Sequence, residues 1–118
     1  MDRRLRASLS LSLVSIGLLS SPPNAAAAPK DAAATKLADE AINRDYLSAN
    51  FAEAEKKLRQ AIAMCGSGGC IPLVVGRLHR DLGVVLIAGL NKKDDGKQEL
   101  AEAIRADPDN GDGEVGHG

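Results

Sequence analysis

The chain has 118 residues, which allows one small domain. Tyr46 and Phe51 are its only aromatic residues, so a core must come from Ala, Leu, Ile and Val, a composition that favours closely packed helices over a sandwich or barrel. A net charge of −1 leaves no basic footprint for nucleic acid, which is excluded as an expected partner.

The first element is a leader. Arg3, Arg4 and Arg6 form a positive segment, Leu9 to Leu19 is an apolar run of 11 residues, and the small residues Ala25 to Ala28 follow a Pro22-Pro23 break. That order of parts is a secretory signal peptide. The apolar run falls short of the roughly 20 residues a membrane-spanning helix needs. Ala25 and Ala27 fit the A-x-A cleavage pattern, giving a signal peptide over 1–27 and a mature chain starting at Ala28. A short uncleaved amphipathic helix is the alternative, since the apolar run carries several serines. Export, with a periplasmic location, is the expectation, and no integral membrane segment remains in the mature chain. From Ala28 onward there are 12 basic and 15 acidic residues, and four of the acids lie at or beyond Asp107.

Helical periodicity dominates from Lys30. Ala34, Leu37, Ala38, Ala41, Ile42 and Tyr46 share one face of a first helix. Asn50, with Glu53 three residues on, reads as a capping box opening a second helix, whose buried side is Phe51, Ala54, Leu58, Ala61 and Ile62. Glu53–Lys57 and Glu55–Arg59 are i,i+4 pairs of favourable orientation. Pro72 suits the first turn of a third helix. This helix carries LVVGRLHRDLGVVLIAGL, the most apolar segment of the body, and is expected to be covered on more than one side. Gly76 and Gly83 inside it each cost about 1 kcal/mol of helix propensity relative to Ala, which the close approach of a neighbouring helix would offset. A fourth helix runs from about Lys93 to Ala106, with Gly96, Leu100, Ala103 and Ile104 inward and Pro108 beyond its end.

The second pair of helices overlays the first at a shift of 42 residues. Ala41 meets Gly83, Ile42 meets Val84, Ala54 meets Gly96, Leu58 meets Leu100, Ala61 meets Ala103 and Ile62 meets Ile104. Small falls on small and large on large. The spacing in Ala54–Leu58–Ala61 and Gly96–Leu100–Ala103, the Leu82-Gly83 pair and the closing Pro108 together resemble the tetratricopeptide repeat family. The period here is longer than the family's. One extra residue lies in each intra-repeat turn, and the rest lie around the cysteine loop. The resemblance covers about Thr35 to Pro108. It implies an all-α fold of two antiparallel helix hairpins within 28–106, with units over about 35–64 and 72–106, followed by a disordered acidic tail over 107–118. It also implies a protein or peptide partner held on a groove lined by the first helix of each unit, where Lys36, Asp39, Asn43 and Tyr46 are the candidates. Two units are fewer than the three an independent array usually needs, so self-association is a further expectation.

Cys65 and Cys70 flank the loop GSGG at the end of the second helix. In an exported chain an even cysteine count reads first as a disulfide. Closing so short a loop is worth roughly 2 kcal/mol on the chain-entropy account. Gly66, Gly68 and Gly69 offer the positive φ values that closure would use. The alternative is a small extracytoplasmic thiol-redox or metal-sensing protein working through the same two cysteines. Against it, redox pairs favour C-x-x-C with the first cysteine at a helix N-terminus, and a zinc site needs four ligands where only His79 could join them.

Three other motifs fail on spacing. HRDLGVVL, from His79, lacks the Asn that a kinase catalytic loop places five residues after its Asp. GLNKKDDGK has six residues between its glycines and no Ser or Thr after the Lys of a phosphate loop. DPDNGDGEVGHG, with Asp107, Asp109 and Asp112, departs from the calcium-loop pattern at positions five, six and twelve, and reads as a solvated tail that includes His117. His79 is expected at the surface. Ser48 and Ser67 are the only serines of the mature chain, both in expected turns. No nucleophile–base set emerges, so no catalytic activity, cofactor or metal is expected.

Overall fold

The computed structural model describes residues 28–109; the leader over 1–27 and the tail beyond Asp109 lie outside the described residues. The described chain is all-helical. Helix α1 spans Asp31–Glu40 and continues into a π-helical segment, Ala41–Tyr46; α2 spans Phe51–Cys65. Helix α3 spans Pro72–Val84 and continues into a second π-helical segment, Val85–Gly89; α4 spans Lys93–Ala106. Among the described residues, no helix is long and apolar enough to cross a membrane.

The 42-residue recurrence is visible in the backbone. Helices α2 and α4 begin at Phe51 and Lys93, 42 residues apart. Ala49 and Asn91, also 42 apart, are the two non-glycine residues with positive φ among the described residues, at 62° and 57°. They turn the chain between the helices of each hairpin. Just before each turn the helix is π-helical, over Ala41–Tyr46 and Val85–Gly89, and the first turn is closed across Ala49 by Ala49 N–H to Tyr46 O at 2.9 Å and Asn50 N–H to Asp45 O at 2.7 Å. A π turn accommodates one more residue than an α turn.

The alanine stripe Ala34, Ala38 and Ala41 of α1 is fully buried, as are Ala54, Leu58 and Ala61 of α2. Leu78, Leu82, Val85 and Leu86 of the α3 rod complete the core. Each such Leu or Val contributes about 1.5–3 kcal/mol by leaving water. With small side chains on α1, the α1 and α2 backbones can approach closely, and the large residues of α3 fill the remaining space. Helix α3 packs against α1, α2 and α4, the central position its apolar composition predicts. Its crossing with α4 is a contact of glycines: a Cβ on Gly83 would lie 3.0 Å from Gly96 O, and one on Gly96 would lie 2.9 Å from Gly83 O.

Several local expectations are corrected. Asn50 precedes α2 but makes no side-chain capping bond. Its own N–H, which a Glu53 carboxylate would otherwise accept, is given to Asp45 O across the turn at Ala49. Lys57 turns away from Glu53 to pair across the hairpin, whereas Arg59 and Glu55 do pair, at 2.8 Å. Of the loop glycines only Gly66 has positive φ, at 56°. Ile104 is 56 % exposed rather than inward.

Candidate functional site

Two features of the α1 side stand out: the cysteine loop and the adjoining outer face of α1. Helix α2 ends at Cys65, Gly66 reverses the chain, and Cys65 is joined to Cys70 with their Cα atoms 5.1 Å apart. Gly69 N–H donates back to Cys65 O at 2.8 Å. Ile71 is extended, as a residue before proline must be, and Pro72 opens α3. The loop is also fastened to α1. Lys30 N–H donates to Gly69 O at 2.8 Å, and Ile71 N–H donates to Asp31 Oδ1 at 2.9 Å. Cys65 is buried, 4 % exposed, at the C-terminus of α2.

The outer face of α1 borders a shallow open groove of about 470 Å³, lined by Ala28, Pro29, Asp31, Ala32, Thr35, Lys36 and Asp39. It brings together two of the four residues expected there, Lys36 and Asp39. Asn43 is exposed but lies outside the lining, and Tyr46 is half-buried, its ring tilted against Phe51 at a centroid distance of 5.3 Å. Asp39 is already engaged: its Oδ1 accepts from Arg77 Nη2 of α3 at 2.8 Å, while Arg77 Nε donates to Asp81 Oδ2 at 3.0 Å. Burial works against the Arg77 charge, but the hydrogen bonds to Asp39 and Asp81 outweigh it and hold its pKa above the ordinary value. Burial pushes the Asp81 carboxyl up, and the Arg77 hydrogen bond offsets this only in part. Lys36 is therefore the expected groove residue with a charge not spent on the fold.

Two polar pairs escaped the sequence reading. Asp45, 6 % exposed within the first π segment, faces Lys57 of α2, with Nζ 2.8 Å from Oδ2. The approach is too oblique for a hydrogen bond, so charge holds the pair. Glu40 Oε1 lies 3.6 Å from the same Lys57 nitrogen. The signal was present, since Asp45 stands four residues after Ala41 on the apolar face. His79, expected at the surface, is instead part-buried and meets Glu99 Oε1 through Nδ1 at 2.6 Å, tying α3 to α4. Ser48 and Ser67 are exposed in turns. Among the described residues, no group of three or more His, Cys, Asp or Glu side chains is disposed to hold a metal ion. Of the tail acids, Asp107 closes α4, its N–H bonded to Ala103 O at 3.0 Å and its Cβ 2.8 Å from where a Gly76 side chain would begin. Asp112 and His117 lie outside the described residues.

Compared with family models, curated proteins and solved structures, the chain matches none.

Proposed function

We propose that this chain is an exported protein–protein interaction module or scaffold, without catalytic activity, built from two tetratricopeptide-like hairpins. Its partner is a protein or peptide, or a second copy of itself. The observation that carries the reading is the one-sided packing of α4. In the first unit Leu58 and Ala61 of α2 are fully buried and Ile62 is half-buried, with α1 on one side and α3 on the other. Among the described residues, the equivalent residues of α4, 42 positions on, sit chiefly against the α3 rod. Leu100 and Ala103 are half-buried and Ile104 is 56 % exposed. A repeat unit that ends this way presents to solvent the face that its predecessor buries. The groove at Lys36 supplies a second surface at the opposite end of the helix order.

The test is site-specific photocrosslinking in the periplasm from positions 104 and 36, with the oligomeric state of the purified chain measured alongside. A crosslinked protein adduct from either position, own copy or another, supports the reading. A monomer that gives no adduct from either position refutes it.

A further inference from the structure

The nitrogen of Ala28 lies 2.6 Å from Asp31 Oδ2. The other oxygen of the same carboxylate accepts Ile71 N–H, one residue after Cys70. One carboxylate therefore joins the nitrogen of Ala28 to the disulfide loop, and Lys30 N–H to Gly69 O forms a second tie beside it. Asp31 also stands in the first turn of α1, where the helix dipole favours its negative charge.

Ala28 is the residue that follows the A-x-A pattern. Hydrolysis of the Ala27–Ala28 bond by a processing peptidase consumes one water. The hydroxyl goes to the Ala27 carbonyl carbon, which leaves as a carboxylate, and the freed Ala28 amine takes up a proton. The ammonium so formed is on the atom that already faces Asp31. A cut one residue earlier leaves that atom an amide, and a cut one residue later removes it.

We infer that Ala28 is the processed amino terminus and that Asp31 is its receptor: cleavage converts an amide hydrogen bond into an ion pair on the same carboxylate that holds the cysteine loop to α1. The inference rests on the export reading and extends it. Two bonds at this junction then arise after export, the Cys65–Cys70 disulfide that closes the loop in an oxidising compartment and, on removal of the leader, the ammonium–carboxylate pair on the residue that accepts Ile71 N–H. The precursor has neither while it remains in a reducing compartment with its leader attached.

The titratable groups around the Ala28 nitrogen are Asp31, Lys36 and Asp39 from α1, with Asp39 paired to Arg77 of α3, and Lys30 beside Gly69. The loop contributes only disulfide sulfurs. A carboxylate partner raises the folded pKa of the ammonium above its ordinary value of about 8. The stabilisation is thus complete below that value and lost as pH rises through the higher folded one.

The full chain with its own leader, expressed in a bacterium with a periplasm, tests this in two readouts. Intact mass is expected to begin at Ala28 and to be two hydrogens light. The melting temperature of the processed wild type is expected to fall between pH 7 and pH 10, relative to the same protein acetylated at its amino terminus. Asp31→Asn, which keeps an acceptor for Ile71 N–H, should remove that difference. At pH 7.5 the wild-type α-amine should label several-fold more slowly with an amine-reactive reagent than that of Asp31→Asn. An uncut chain, or one starting elsewhere, overturns the export reading and the clasp together. A chain starting at Ala28 with parallel melting curves and equal labelling overturns the clasp and leaves export standing.

Discussion

The glycine crossing of α3 and α4 can be tested by adding single methyl groups. In an exposed helix Gly96→Ala would gain about 0.8–1.0 kcal/mol of propensity. Here the new Cβ would lie 2.9 Å from Gly83 O and from Ile87 Cδ1, and closer still to Ile87 Cγ1. The first is backbone and the second belongs to a side chain stiff at χ1, so relief requires the helices to part. Overpacking of this kind costs about 1–3 kcal/mol. With the upper part of that range set against the propensity gain, Gly96→Ala should destabilise the protein by about 1–2 kcal/mol. Gly83→Ala meets Leu100 Cδ2 at 2.8 Å, the movable end of a flexible side chain, and Gly96 O at 3.0 Å. It should therefore fall within about 1 kcal/mol of wild type. Gly68 has open space within 4 Å and no positive φ, so Gly68→Ala should stabilise by about 0.4–1 kcal/mol. Urea unfolding followed by far-UV circular dichroism measures all three, since the chain has no tryptophan. With m near 1 kcal/mol/M for a small domain, Gly96→Ala should lower the midpoint by about 1–2 M. A Gly96→Ala protein as stable as wild type would refute the close crossing.

Four further outcomes are expected. Cys65→Ala/Cys70→Ala should cost about 2 kcal/mol, a fall of roughly 8–16 °C in Tm for a domain of this size; an unchanged Tm would show that the loop is held without the bond. Lys57→Met leaves the buried Asp45 carboxylate with only the more distant Arg44, Nε 3.8 Å from Oδ1, and should cost about 2–3 kcal/mol, below the roughly 3–5 of a fully orphaned charge and less if Asp45→Asn is added. A double-mutant cycle with no coupling would remove that account. Ala49→Gly should stabilise by about 0.5–1 kcal/mol by relieving a Cβ at φ 62°, measured by the same urea titration; destabilisation would contradict the turn geometry. Because burial raises the Asp81 pKa in the folded state, its ionisation favours the unfolded chain. The stability of wild type minus that of Asp81→Asn should therefore decline as pH rises through the ordinary aspartate range and on to the higher folded value. A difference that grows with pH would reverse the assignment.

Helix positions, the repeat and the cysteine staple were legible because each is written in local order. An apolar residue every three or four positions fixes which face of α1 or α2 is buried. The 42-residue shift fixes where the chain turns, and Cys65 and Cys70 are too near in sequence to be far apart in space. The candidate site was legible only in part. Lys36 and Asp39 share a face by their spacing, but nothing local says that Arg77 from α3 reaches Asp39.

The pairs Asp45–Lys57 and His79–Glu99 likewise depend on how helices cross, which sets the partner of a long polar side chain and varies with every residue at the contact. Asn50 failed as a capping box for a local reason: the turn at Ala49 gives its N–H to Asp45 O. Ile104 has the apolar character and spacing of Ile62, and the pattern cannot register that one is 56 % exposed where the other is half-buried. Periodicity specifies which face of a helix is apolar, because that is a property of one segment. What covers that face, and which charges are drawn together across it, is a property of several segments at once and was decided by the tertiary structure.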